Sequence, residues 1–387
     1  MLIAAAPAPA SDPPPRAILR AIAAQLPHRP HSRGTTFAPA GLAAGSPTCD
    51  MRRFTMTLAT SSSVARSLPV MLDGKPDSAQ APVTLLAVLS RVTVDADGSA
   101  RAYHPEDPAG AGTCAREAGP DGEERYAGVC ALDSFASGEI KIFHDAEKLG
   151  VPDFLARWKS FWPLIRDKRL SSFDLTALVP SAPRGYYFFY WPDKSLTAFF
   201  KREIVPQAAD GFPCLHDDAS PAHGYFVAAT TLQQSSDPLA DRCAPGRFID
   251  AEHVPFFVLP DDAFGNARVG DIVVARIEGA AADRMVYGIV GDTGPVGQFG
   301  EASIAFNKTL LAKSGPIMNA HDVEALDISG RRVVLLLLGG TRVKLAGDYS
   351  RQNIEAVGRR EFARWNGTAS TPTGRFDACV GQLGLGR

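Results

Sequence analysis

The stretch YGIVGDTGPVGQFGEASIAFN, Tyr287 to Asn307, carries most of what the chain says about its fold. Its apolar, β-branched start predicts a strand ending at Asp292. Gly294, Pro295, Gly297 and Gly300 predict a tight turn, and Glu301 then opens a second apolar run. The same grammar repeats outward in both directions. GYFVAATTL (224–232), VPFFVL (254–259), DIVVARI (271–277), MVYGIV (285–290) and RVVLLLL (332–338) all have strand length and are bounded by Gly, Pro or Asp. Upstream, VTLLAVLSRVTV (83–94) predicts the first strand of the folded domain, stopped by the turn Asp95-Ala96-Asp97-Gly98. Short strands at regular spacing predict a mainly β protein of α+β type, its sheet closed into a compact barrel or a sandwich.

Composition sets the limits around this. The chain has 387 residues with 40 basic and 42 acidic side chains, a net charge of −2, so it lacks the broad cationic field of a non-specific nucleic-acid binder. No apolar run approaches the roughly 20 residues of a membrane helix, so no integral membrane segment is expected. Residues 1–82, rich in Ala, Pro, Ser and Arg without sustained period, read as a flexible leader. That leader has no basic n-region and too short an apolar core for an export signal. Residues 107–128 read as a surface loop. Leu149, Phe154, Trp158, Phe161 and Trp162 recur at helical spacing until Pro163 interrupts them, and YYFFYW (186–191) reads as a strand whose rings belong by default to the core. A helical insertion thus occupies about 111–213, and a C-terminal helix (Tyr349 to Trp365) with a tail occupies 346–387. Six cysteines without a C-x-x-C pair disfavour a zinc ribbon and fit up to three disulfides or free buried thiols; Cys114 and Cys130 stand at the ends of one loop.

Two carboxylates at the facing ends of adjacent strands, joined by a glycine turn that a ligand can approach, have the makings of a general acid and base flanking one scissile bond; solvated turn and strand-edge charges are the competing reading of Asp292 and Glu301. The turn lacks the G-K-[ST] ending of a phosphate loop, and Pro295 removes an amide that such a loop would use. G-x-S-x-G and H-E-x-x-H are both absent, so the serine-esterase and zinc-hydrolase classes lose their support. Asp95 and Asp97 do not complete a calcium loop and read as turn residues. The sequons at Asn307 and Asn366 matter only in a glycosylating pathway.

The ordered blocks VDADGSARAYHPEDP (94–108), GYFVAATTL (224–232), RFIDAEHVPFFVLP (247–260), Gly270-Asp271 and YGIVGDTGPVGQFGEASIAF (287–306) together resemble the fungal-type chitosanases of glycoside hydrolase family 75 and their bacterial relatives. The resemblance covers roughly 90–110 and 214–345. It implies an endo-acting, inverting hydrolase of β-1,4-linked glucosamine polymers, with Asp292 and Glu301 as the catalytic carboxylates, no metal and no organic cofactor. Glu301 is taken as the acid and Asp292 as the base. A polycationic substrate asks for further acidic groups, for which Asp250 and Asp271 are candidates, with Tyr225, Thr230 and Thr231 as further substrate contacts. His253 reads as structural. Such a substrate places the protein outside the cytoplasm. Another amino-sugar polymer such as peptidoglycan, met by an antibacterial effector, or a non-catalytic carbohydrate-binding relative remain alternatives. The oligomeric state is left open.

Overall fold

The computed structural model describes residues 12–27, 35–40, 49–58, 66–73, 83–112, 114–118, 124–136, 138–234, 241–260, 267–295, 297–367 and 371–383. Helix α1 (Arg16–Ala23) is followed by β1 (Thr35–Pro39), β2 (Arg52–Leu58) and β3 (Arg66–Asp73), an antiparallel meander that leads into β4 (Thr84–Asp95). The described part of the expected leader is therefore folded. Its composition concealed this because a few apolar positions suffice: Leu19 and Ile22 of α1 are buried among Phe188, Tyr190 and Phe199, each contributing roughly 1.5–3 kcal/mol. The rest of that leader lies outside the described residues.

After β4 the loop expected at 107–128 contains a short hairpin of β5 (Ala115–Ala118) and β6 (Glu124–Ala127). The region expected as a helical insertion is mostly a sheet: β7 (Ile140–His144), β8 (Glu147–Lys148), β9 (Ser172–Asp174), β10 (Tyr186–Tyr190) and β11 (Leu196–Lys201) form a five-stranded antiparallel layer. One face packs on α2 (Val151–Arg166), whose Phe154, Trp158, Phe161 and Trp162 meet Tyr187, Phe189 and Phe200. This helix runs through Pro163 to Arg166 instead of stopping there. Burial of Phe161, Trp162 and Ile165 around the proline outweighs its penalty of about 3 kcal/mol. The other face carries α1 and the one-turn helix α3 (Leu175–Leu178). Every residue of β10 is buried, so the aromatic run is core.

The remaining strands are β12 (Phe256–Pro260), β13 (Ile272–Ile277), β14 (Val286–Gly294), β15 (Glu301–Ser303) and β16 (Ile328–Leu338). The order β4-β15-β12-β14-β13-β16 returns on itself, because β16 pairs antiparallel with β4. Alternation along these strands gives the cycle an inner and an outer face. Leu85 and Leu89, Phe257, Val273, Leu335 and Leu337 share one buried cluster. Leu86, Val258, Ile272 and Leu336 belong to another, covered by α6 (Arg351–Asn366) and α7 (Gly374–Gln382) after α4 (Ile304–Leu311) and α5 (Ala320–Glu324). The C-terminal helix expected at 349–365 is α6; α7 was not expected. The protein is mainly β, and no helix among the described residues is long and apolar enough to cross a membrane.

Residues 224–232 do not form the expected strand. Their amides bond in turn to Tyr103, Cys214, Ile204 and Gly291 carbonyls, four different segments, so no ladder forms. All six cysteines pair, as Cys49–Cys379, Cys114–Cys130 and Cys214–Cys243. Asn307 and Asn366 are buried at 0% and 5% exposure, so the folded chain offers neither sequon for modification.

Candidate active site

Strict alternation from Val290, which faces inward, would turn Asp292 inward too. It does not, because the pairing of β12 with β14 shifts between Phe257 and Val258: Phe257 pairs with Val290, Val258 with Asp292. The extra residue is Gly291, a bulge that moves the Asp292 side chain to the outer face. Only glycine fits there, since a Cβ would stand 2.5 Å from both Ile249 and Phe256 side-chain atoms. On the other side of β12, Val258 pairs with Glu301 of β15. The two carboxylates are therefore not on adjacent strands, as their sequence pattern suggested. They flank Val258 from both sides, two strand spacings apart, about 9.5 Å between backbones, on the same face.

Local structure fixes both. Thr231 donates its amide (3.0 Å) and its hydroxyl to Asp292 Oδ1, and the Thr293 amide donates to the same oxygen at 2.7 Å. Ser303 ties the end of β15 to its surroundings: its hydroxyl donates to the Val254 carbonyl (2.8 Å) and accepts the amides of Phe256 (2.9 Å) and Phe306 (3.2 Å), the last as N-cap of α4. Burial pushes Asp292 up to about 6 against the pull of these hydrogen bonds. Glu301, half-buried, is pushed up to about 7 by loss of water and then by Asp133 and Asp292.

Around the pair stand carboxylates that the sequence reading did not place at the site. Asp95 and Asp97 do form the expected turn, with the Asp97 amide on Asp95 Oδ1 at 2.8 Å. The turn also delivers both to Asp292, and one ligand oxygen from each of the three lies within 4.8 Å of the others. Gly98 makes that approach possible: its φ is +84°, and a Cβ there would meet the Ile249 carbonyl at 2.0 Å. Asp95 and Asp97 are held well above the usual carboxylate range, by burial first and then by neighbouring negative charge. Tyr103 donates to Asp97 at 2.7 Å. The segment leading into β7 adds Asp133, raised by burial to about 6, and Glu139, and the end of β11 adds Lys201. Burial opposes the charge on Lys201, but Glu139, at 3.5 Å, and Asp97 outweigh it and keep the ammonium charged. Three such oxygen donors are chemically able to share protons or to hold a hard cation.

Of the substrate contacts expected from sequence, Thr231 alone touches the pair among the described residues. Tyr225 is 5% exposed, its hydroxyl accepts the Cys130 amide at 3.0 Å and its ring meets His104 edge-on, so it is a bracing residue with no face for a sugar. Thr230 is 2% exposed and donates to the Leu232 carbonyl at 2.8 Å. Asp271 is fully buried and accepts the amides of Arg268 (2.9 Å) and Arg342 (3.0 Å), holding two loops together. Asp250 accepts the Glu252 amide at 2.8 Å and faces His253 at 2.8 Å, a turn contact that leaves it apart from the pair. Nearby, Arg101 donates to Glu252 at 3.0 Å and to the Ile317 carbonyl at 2.9 Å, a largely buried ion pair that locks the 95–101 turn in place. No family model matches the chain, and no curated protein matches it.

Proposed function

We propose that the protein is an inverting, endo-acting glycoside hydrolase of amino-sugar polymers, chitosanase-like in its chemistry, built on a small barrel of the six cyclically paired strands. The observation that carries this reading is the placement of Asp292 and Glu301 on one face, each paired with Val258 from opposite sides. Their backbone separation of about 9.5 Å leaves room for the roughly 6.5–9.5 Å between carboxyl groups that inversion requires. Glu301, with the higher pKa, gives its proton to the leaving glycosidic oxygen. Asp292 takes a proton from a water that attacks the anomeric carbon from the opposite face. The C–O bond to the leaving sugar breaks as the bond to water forms, leaving Glu301 ionised and Asp292 protonated until solvent resets both.

The surrounding carboxylates suit a substrate carrying ammonium groups and the positive charge that develops on the sugar ring. Three disulfides are compatible with an extracellular location, where such polymers lie. The test is release of reducing ends from soluble chitosan, chitin and peptidoglycan by the wild type and by Asp292→Asn and Glu301→Gln. Activity lost in both variants is expected. Wild-type silence on all three polymers would overturn the hydrolase reading in favour of a carbohydrate-binding protein.

A further inference from the structure

Thr231 has two sides. One holds Asp292; the other lines an open groove of about 480 Å³, within the range of ligand clefts, whose walls include Gln233, Val269, Arg342, Val343 and Tyr349. Through Thr231 this groove therefore begins one residue away from Asp292. Its chemistry is the reverse of the pair's surroundings. Arg342 is exposed, and among the described residues its guanidinium meets no carboxylate. Its amide, not its side chain, bonds to Asp271. Gln233 gives its carbonyl oxygen to Arg247 Nε at 2.9 Å, which assigns the amide orientation and leaves its NH₂ group without an acceptor among the described residues. Donors thus line the wall where a chain of cationic sugars would need acceptors. Val343, 71% exposed, and Tyr349 add the apolar ledge on which a sugar ring can lie.

We propose that the groove beside Thr231 is a subsite for a sugar bearing a carboxylate, held by Arg342 and Gln233, so that the polymer cleaved is an amino-sugar chain with acidic substituents rather than a uniformly cationic one. The inference rests on the hydrolase reading for its place in the reaction, but its test does not. The probe is a tetrasaccharide of alternating N-acetylglucosamine and N-acetylmuramic acid, compared with the same tetrasaccharide amidated at its lactyl carboxylates. Binding is measured by calorimetry to the full-length Glu301→Gln protein, which is not expected to turn the probe over, and to Asp292→Asn as a second background.

The free carboxylate should tighten binding tenfold or more, the range of a hydrogen-bonded charge pair. Adding Arg342→Ala should abolish the difference, whereas Lys344→Ala, an exposed cation outside the groove wall, should leave it. Both added changes remove exposed side chains, and unchanged thermal midpoints check that the fold survives. Equal affinity for the two probes, a difference that survives Arg342→Ala, or no binding of either probe overturns the subsite. Tight carboxylate-dependent binding by a wild type that releases no reducing ends would retain the subsite and overturn the hydrolase reading instead.

Discussion

At the scale of single residues, the site turns on two carboxyl groups whose affinities for protons sit about one unit apart near neutrality. Activity should follow a bell with its maximum between about pH 6 and 7, the base lost below and the acid lost above. Asp292→Asn and Glu301→Gln should each lower kcat by about 10²–10⁴-fold; in the residual activity the first should lose the acidic limb and the second the alkaline limb. Thr231→Val removes a hydroxyl that favours the ionised Asp292, so the acidic limb of kcat/KM should move to higher pH; a limb that stays put would show that Thr231 does not set the base. Asp292 and Glu301 were legible in the sequence because glycines and strand runs bracket them. Asp95 and Asp97 were legible only as a turn, and Asp133, Glu139 and Lys201 not at all. Their relevance comes from desolvation and proximity, which depend on contacts between distant segments. Tyr225, Thr230 and Asp271 erred the other way: their residue types suit substrate, but the fold spends their polar atoms on its own backbone.

At the scale of elements, strand existence was legible for β4, β12, β13, β14 and β16, whose apolar runs have the right length and punctuation. Strand order was not, since β12 entering between β14 and β15 leaves no local trace. Nor was the bulge, though Gly291 is its visible mark: a single added residue decides which face Asp292 occupies. Gly291→Ala would force a methyl against Ile249 and Phe256, and we expect a loss of about 1–3 kcal/mol in denaturant unfolding, with catalysis falling further than stability explains because the base is misaimed. Ser303→Ala leaves two buried amides and a carbonyl without their partner and should cost about 2 kcal/mol, read in the same way. The stretch 224–232 shows the limit of pattern: it is β-rich in composition, yet its backbone bonds go to four segments in succession, and composition does not encode partners.

At the scale of the whole molecule, the concentration of acid groups is a burden on the fold. Asp292 and Glu301 bind protons more tightly in the native state than when unfolded. Their contribution to stability is full below about pH 4 and is lost as pH rises through about 6 and 7. Each shift corresponds to roughly 3 kcal/mol. The double variant Asp292→Asn, Glu301→Gln should therefore melt above the wild type at pH 8 and approach it at pH 5; equal midpoints at both values would remove the electrostatic account. Cys49–Cys379 ties the N-terminal meander to α7 across 330 residues, and replacing both cysteines with serine should lower stability by about 2–4 kcal/mol in denaturant unfolding. The pairing of β4 with β16 has a consequence in time. A chain emerging from the ribosome presents β4 early, but Thr84 meets its partner Leu338 only after nearly the whole sequence has been made. Until then the strand edge beside Glu301 cannot close, and contacts of such long range form slowly. The face that carries Asp292 and Glu301 is thus among the last features to form, and a chain cut short before β16 should lack it.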